Sequence, residues 1–245
     1  MPQGRGVRNL EGETVARRSA VVVRGGWDGH HPVAATEMFL PFLHENGFDV
    51  RIEDSPRVYA DAAVMDRADV IVQSLTMGEA DAESIAGLRR AVEAGTGLAG
   101  WHGGIVDAFR ASADYLQLVG GQFAAHPAAD PGERVGDGSD FFVDHRYETT
   151  ERGRVHEITR GVGDFSLRTE QYWVLHDDAN DVLMTTTHPV RAHEPWHRPI
   201  VSPAVWTRSW GAGRVFVATP GHDPGVLADP HVRTIVERGL LWAAR

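Results

Sequence analysis

The sequence predicts a doubly wound α/β fold with a mainly parallel sheet. Two observations carry this: short β-branched runs alternate with amphipathic helical segments, and a Gly-Ala-Gly turn near the end joins two more strand-like runs. SAVVVRGG (residues 19–26) is a β-branched run closing on glycines and reads as a buried strand. Pro32 suits a first helical turn, and Ala35, Met38, Phe39, Phe42 and Leu43 then recur at three- and four-residue steps, predicting one helix that stops at Gly47. FDVRIE and DVIVQS are the next strands, Ile85, Leu88 and Val92 mark a helix closed by Gly95, and GLAGW is the fourth strand.

From about Gln122 to His197, Pro, Gly, Asp and charged residues interrupt the pattern, leaving FFVDH, QYWVL and DVLMTTT as short strands. AVWTRSWGAGRVFVATP is a C-terminal hairpin, expected on the sheet edge, and Val232, Ile235, Val236 and Leu240 form a closing helix. Residues 1–18 are polar, have no apolar core of a signal sequence, and are expected to be a flexible N-terminal arm. Residues 19–245 are expected to form one domain.

Composition removes several functions. The chain has no cysteine, so disulfides, thiolate metal sites and a cysteine nucleophile are excluded. All 24 Lys+Arg positions are arginine, which excludes a pyridoxal phosphate Schiff base and a phosphate-loop lysine for nucleotides. A net charge of -10 argues against nucleic acid and anionic membrane as partners. No segment approaches the run of about 18 apolar residues that a spanning helix needs, so a cytoplasmic protein is expected.

Histidine, at 13 copies, outnumbers Phe at 9. In open α/β sheets ligands bind beyond the carboxyl ends of the strands, where loops and helix N-termini converge. His30 and His31 leave the first strand, His102 follows the fourth directly, and His222 follows the last strand of the hairpin. One such histidine can equally cap a turn; three separate exits carrying histidine point to a shared site. Gly100, Gly103 and Gly104 flank His102 as in a nucleophile elbow with imidazole in place of the nucleophile. Imidazole there is a poor acyl nucleophile but a good metal ligand or general acid/base.

His126 follows a second glycine pair, where a structural His-Pro turn is the alternative, and Glu170 precedes an aromatic run, where a surface glutamate is the alternative. Several histidines with one carboxylate suit zinc or a similar divalent ion. Trp27, Trp101 and Tyr172 lie beside these polar groups, as sugar-binding rings do, with core packing as the alternative.

GLAGWHGG, DYLQLVGGQFAAHP, HEITRGVGDFSLRTEQYW, PAVWTRSWGAGRVFVATPGHDP and RGLLWAA together resemble the trehalose-utilisation (ThuA-like) family, from about Ser19 to Ala244. The resemblance implies a flavodoxin-like fold similar to class I glutamine amidotransferases, with His102 where their catalytic cysteine would stand and hence no glutaminase activity. It also implies sugar catabolism, of trehalose and related glycosides, beside oxidoreductases that convert a sugar hydroxyl to a ketone.

The resulting expectation is a metal-assisted enzyme acting on a sugar or keto-glycoside. Catalysis is expected from His102, Glu170 and His222, metal binding from His30, His102, His126 and His222, and substrate contact from Trp27, Trp101, Gly103, Gly104 and Tyr172. The alternatives are a non-catalytic sugar-binding or regulatory domain and a scaffold partner of a sugar oxidoreductase. The partner expected is a small carbohydrate, and homo-oligomer formation is left open. As an exposed cleft residue, His102 should cost little stability on replacement by alanine.

Overall fold

The computed structural model describes residues 17–245, together with the backbone of two short antiparallel strands, β1 (Val7–Arg8) and β2 (Thr14–Val15). The expected flexible arm otherwise lies outside the described residues. Its last residue, Arg18, already belongs to the sheet: it opens β3 (Arg18–Gly26) and lays its guanidinium over the Phe48 ring at 4.1 Å. The helix predicted between Pro32 and Gly47 is two, α1 (Pro32–Glu37) and α2 (Leu40–Glu45). Pro41 has no N–H to donate back to Glu37 and crowds that carbonyl, so the helix breaks before it.

The chain continues through β4 (Phe48–Glu53), α3 (Ala62–Met65), β5 (Val70–Thr76), α4 (Ala82–Glu93), β6 (Gly97–Trp101), α5 (Gly103–Val106), α6 (Ala113–Val119) and β7 (Gly121–Ala125). The irregular middle then supplies β8 (Phe142–Thr149), α7 (Glu151–Val155), β9 (Phe165–Glu170), β10 (Trp173–His176) and β11 (Asp181–His188). Last come β12 (Ile200–Trp210), β13 (Gly213–Ala218), α8 (Pro224–Ala228) and α9 (Pro230–Ala243).

Nine strands form one sheet in the order β4-β3-β5-β6-β13-β12-β11-β8-β9. It is parallel from β4 through β13 and antiparallel beyond. A separate ribbon pairs β7 with β10. The hairpin of β12 and β13 is not on the edge: β13 pairs parallel with β6 and β12 antiparallel with β11, so the hairpin lies inside the sheet. Val215 and Val217 face one core while Phe216 and Ala218 face the other, and both backbone edges of β13 are paired, as in an interior strand.

The helices cover both faces. α1, α2, α8 and α9 pack with Val22, Val70 and Val72, while α3, α4, α5 and α6 pack with Val21, Val23 and Ile71 on the opposite side. The chain passes from β3 to β4 on one flank and returns to β5 on the other, so a crevice opens at the carboxyl ends of β3 and β5. Gln73 of β5 braces its floor. Its Nε2 donates to Gly104 O at 3.1 Å and to the Tyr115 hydroxyl at 2.5 Å, while its Oε1 accepts from Tyr59 at 2.9 Å. A buried amide satisfied in this way ties α5 and α6 to the central strand.

Trp101 does not face a ligand. It is 2 % exposed, lies in the core with its ring 5.0 Å from that of Phe39, and leaves a glycine at 221 as the only residue that fits over its edge, where a Cβ would come within 2.9 Å. The expected sugar contact is therefore a packing residue, because the last residue of β6 still points into the sheet's helical layer. Trp101→Ala is expected to lower unfolding free energy by about 3–5 kcal/mol in urea titration, as a buried aromatic truncation does. A loss of less than about 1 kcal/mol would contradict this placement.

Candidate metal centre

The strand-to-helix turn after β6 has the geometry of an elbow. His102 sits at φ 50 and ψ -145, a conformation costly for a residue with a Cβ. It is held there by the end of β13 and the residue after it: His102 N donates to Ala218 O at 2.7 Å and its Nδ1 donates to Thr219 O, also at 2.7 Å. Gly103 and Gly104 are required by close approach rather than by substrate. A Cβ on Gly103 would stand 2.7 Å from the His30 ring, and one on Gly104 would stand 2.7 Å from Ser74 Cα. Among the described residues the other non-glycine positions with positive φ, His31, Met77 and Phe109, belong to the loops at this same end of the sheet.

Glu170 is the hub. It ends β9, and the chain then crosses back over the antiparallel strands, with Gln171 Nε2 donating to Thr186 Oγ1 at 2.7 Å and Val174 N to Ser202 Oγ at 2.9 Å. Glu170 Oε2 thereby meets three histidines: His102 Nε2 at 3.0 Å, His222 Nδ1 at 3.3 Å and His30 Nε2 at 3.9 Å. Its Oε1 is 3.9 Å from His126 Nε2. One ligand atom from each of His30, His102, Glu170 and His222 lies within 4.8 Å of all the others. Around a four-coordinate zinc with bonds near 2.0–2.1 Å, donor atoms lie about 3.4 Å apart. The three contacts to Glu170 Oε2, at 3.0, 3.3 and 3.9 Å, bracket that value, so the group could hold an ion.

Donor bookkeeping supports the same reading. A carbonyl only accepts, so His102 Nδ1 carries a proton toward Thr219 O, and Nε2 is left facing a carboxylate oxygen. That contact requires a second proton or a shared cation between the two atoms. His30 is braced in a comparable way, with Nδ1 2.9 Å from Thr76 Oγ1. His222 Nδ1 is buried and has no hydrogen-bond partner; its 3.3 Å approach to Glu170 lacks hydrogen-bond geometry. An imidazole oriented through its other nitrogen is how metal-ligating histidines are held.

Burial sets the charges. It lowers His30 to about 3, reinforced by the neighbouring His102 and opposed only in part by Glu170. For Glu170 burial alone would raise the carboxyl, but the hydrogen bond from His102 and the approach of His222 outweigh it and hold it well below the usual carboxylate range. Near neutral pH the site therefore contains an ionised carboxylate beside a neutral His30, a set of lone-pair donors.

A cavity of about 400 Å³ opens above this floor, lined by His30, Arg110, His126, Glu170, Tyr172 and His222, with Trp27 at its rim. Trp27 is 47 % exposed and meets the His30 ring edge-on at 4.8 Å; Tyr172 stacks on His102 at 4.0 Å. A larger cavity of about 570 Å³ shares Met77 and Arg110 with it and is lined by Glu79 and Asp114, but no histidine lines it, so the imidazoles single out the smaller one.

The structure thus gathers His30, His102, Glu170 and His222, places His126 beside them rather than among them, and brings Trp27 and Tyr172 to the cavity. Gly103 and Gly104 support the site from below. His102 is 1 % exposed, so the expectation of an exposed residue whose loss costs little stability fails; its two side-chain hydrogen bonds and its burial follow from the elbow lying under the Glu170 crossing. The sequence reading missed Thr76, which braces His30, and the pair Asp107 and Arg110, joined through Arg110 Nε and through Nη2 at 2.6 Å. Thr76 was recognisable as the last residue at another strand exit; Asp107 had no such signal.

A family model described as trehalose utilisation (ThuA) matches residues 19–243. The chain belongs to the ThuA family. Among solved structures it is similar to a ThuA-like protein from Bacteroides uniformis, with 15% identity, TM-score 0.68 and coverage of 93% of this chain and 91% of that one. One from Parabacteroides merdae also gives 15% identity and TM-score 0.68, covering 93% and 90%. A cytoplasmic protein from Salmonella typhimurium shares 12% identity with TM-score 0.61, covering 93% and 100%. No curated protein matches the sequence. The mixed α/β fold with its large parallel sheet is that of these ThuA-like neighbours. Among the described residues no helix is long and apolar enough to cross a membrane.

Behind the site, His188 is 0 % exposed and donates from Nε2 to Tyr172 O at 3.2 Å, and burial lowers it to about 4. Because the folded value lies below the ordinary 6.5, its stabilising contribution is complete above pH 6.5 and is lost as pH falls toward 4. Urea midpoints are expected to show a loss of roughly 2–3 kcal/mol from this residue across that window. His188→Gln should flatten the slope there, and an unchanged slope would contradict a neutral buried imidazole.

Proposed function

We propose that this ThuA-family chain is a metal-dependent carbohydrate enzyme that performs acid/base chemistry on a sugar or keto-glycoside in the cytoplasm. One observation carries the reading: three imidazoles and one carboxylate converge within 4.8 Å beneath a cavity with aromatic walls. His30, His102, Glu170 and His222 would hold a divalent ion such as zinc. Such an ion, when bound, supplies Lewis acidity toward a sugar carbonyl or hydroxyl.

The chain's own residues do the rest. His102 is fixed in tautomer and direction by Thr219 O, and His30 by Thr76. His126 lines the cavity outside the four-residue group and burial lowers its pKa, so it stands there as a neutral imidazole to take and return a proton next to a sugar carbonyl. Trp27, 47 % exposed, offers a flat face for a pyranose; Tyr172, 2 % exposed, backs the floor by stacking on His102; and Arg110, paired with Asp107, adds a guanidinium to the lining for hydroxyl oxygens. The match over residues 19–243 supports one α/β domain carrying all of these groups.

Metal analysis after chelation and zinc reloading should find about one ion per chain, with Glu170→Gln weakening it at least about tenfold. His126→Gln should keep the ion and lower turnover on a keto-sugar by roughly a hundredfold or more. Wild-type protein that binds sugar with neither stoichiometric metal nor turnover would replace this reading with a non-catalytic sugar-binding domain.

A further inference from the structure

A second cavity, of about 470 Å³, adjoins the one over the His/Glu cluster, and His126 and Phe141 line both. Two indoles form its corner: Trp173 and Trp196 stand edge to face, with ring centroids 5.4 Å apart and planes at 89°. Phe141 and the His126 ring, with centroids 4.3 Å apart, supply a third wall. Trp196 Nε1 donates to Pro189 O at 2.9 Å, which fixes that indole and spends its one donor outside the cavity.

The charge at this cavity has one sign. Glu194 brings a carboxylate to the lining, and His193 Nε2 stands 3.6 Å from its Oε1, beyond hydrogen-bond distance. Among the described residues no arginine lines the cavity, and burial keeps the imidazoles of His126 and His188 neutral. The Nδ1 atoms of both imidazoles are closed off from solvent, which leaves the Glu194 carboxylate as the polar group that a ligand meets.

These walls sort ligands by chemistry. A polyol would set most of its hydroxyls against rings that offer them no partner, and an anion would face Glu194. A cation is drawn to the faces of Trp and Phe by the ring quadrupole and to the carboxylate by its charge. A primary ammonium brings three N–H donors to one carboxylate. A nitrogen carrying four carbons has no donor to satisfy and presents methyl groups to the rings.

We propose that this cavity is a binding site for a small quaternary ammonium ion of the choline type, caged by Trp173, Trp196 and Phe141 with Glu194 balancing its charge. The proposal is independent of the ion and of the carbohydrate chemistry proposed above.

The test is isothermal titration of chelated protein with choline, with its neutral isostere in which a quaternary carbon replaces the nitrogen, and with glycine betaine. Choline should bind about tenfold or more tightly than the isostere, since the two differ in charge and not in shape. Betaine, which adds a carboxylate to the same head group, should bind severalfold more weakly than choline. Trp196→Ala should weaken choline about tenfold, and Glu194→Gln severalfold; the second variant removes no packing and keeps the outcome readable if the first does not fold. A methylated lysine side chain shares this head group, so a trimethyllysine peptide is titrated alongside, and choline should bind at least as tightly. No choline binding, an isostere that binds equally, affinities unchanged in both folded variants, or a peptide that binds more tightly than choline would each overturn the assignment.

Discussion

The site depends on one imidazole with acceptors at both ends. His102 donates through Nδ1 to the Thr219 carbonyl and faces the Glu170 carboxylate through Nε2, and the backbone beneath it is held at a positive φ. The first contact fixes the tautomer; the second is favourable only when a proton or a cation lies between nitrogen and oxygen. Conformational strain at His102, of order 1–3 kcal/mol, persists because Ala218, the last residue of β13, holds its N–H and Thr219, the next residue, holds its ring. A buried carboxylate without such partners would be driven to protonate.

Two halves of the sheet are needed to make that contact. The parallel half delivers His30, Thr76, His102 and His222 from successive strand exits, as its topology requires. It cannot deliver the carboxylate. Glu170 comes from β9 at the far antiparallel edge, and the chain returns across β11 and β12 to pair β10 with β7. This crossing covers His102, builds one wall of each cavity from Tyr172 and Trp173, and explains why a histidine at a strand end is almost inaccessible.

The strand-exit histidines were legible because the rule behind them is local: a β-branched run, a glycine turn, then the ligand. The central strands and the elbow glycines follow from the same pattern, and Gly103 and Gly104 are needed for close approach to His30 and Ser74. What was not legible depends on partners remote in sequence. The hairpin lies within the sheet because β13 pairs with β6 on its second edge, and alternation alone does not reveal that partner. Trp101 looked like a ligand face because it adjoins His102, whereas strand alternation turns it into the core. Glu170 has no local sign of burial, and the contact that defines it spans 68 residues.

If the cluster holds a metal, His102 keeps its proton on Nδ1 while Nε2 shares the cation with Glu170. This can be tested most directly by two-dimensional nitrogen–proton NMR of histidine-labelled protein, recorded with and without one equivalent of zinc. A His102 Nδ1–H should be present in both spectra, and once zinc is added Nε2 should bear no proton and shift strongly. A spectrum in which Nε2 stays protonated with zinc present, or in which Nδ1 carries no proton, would contradict it.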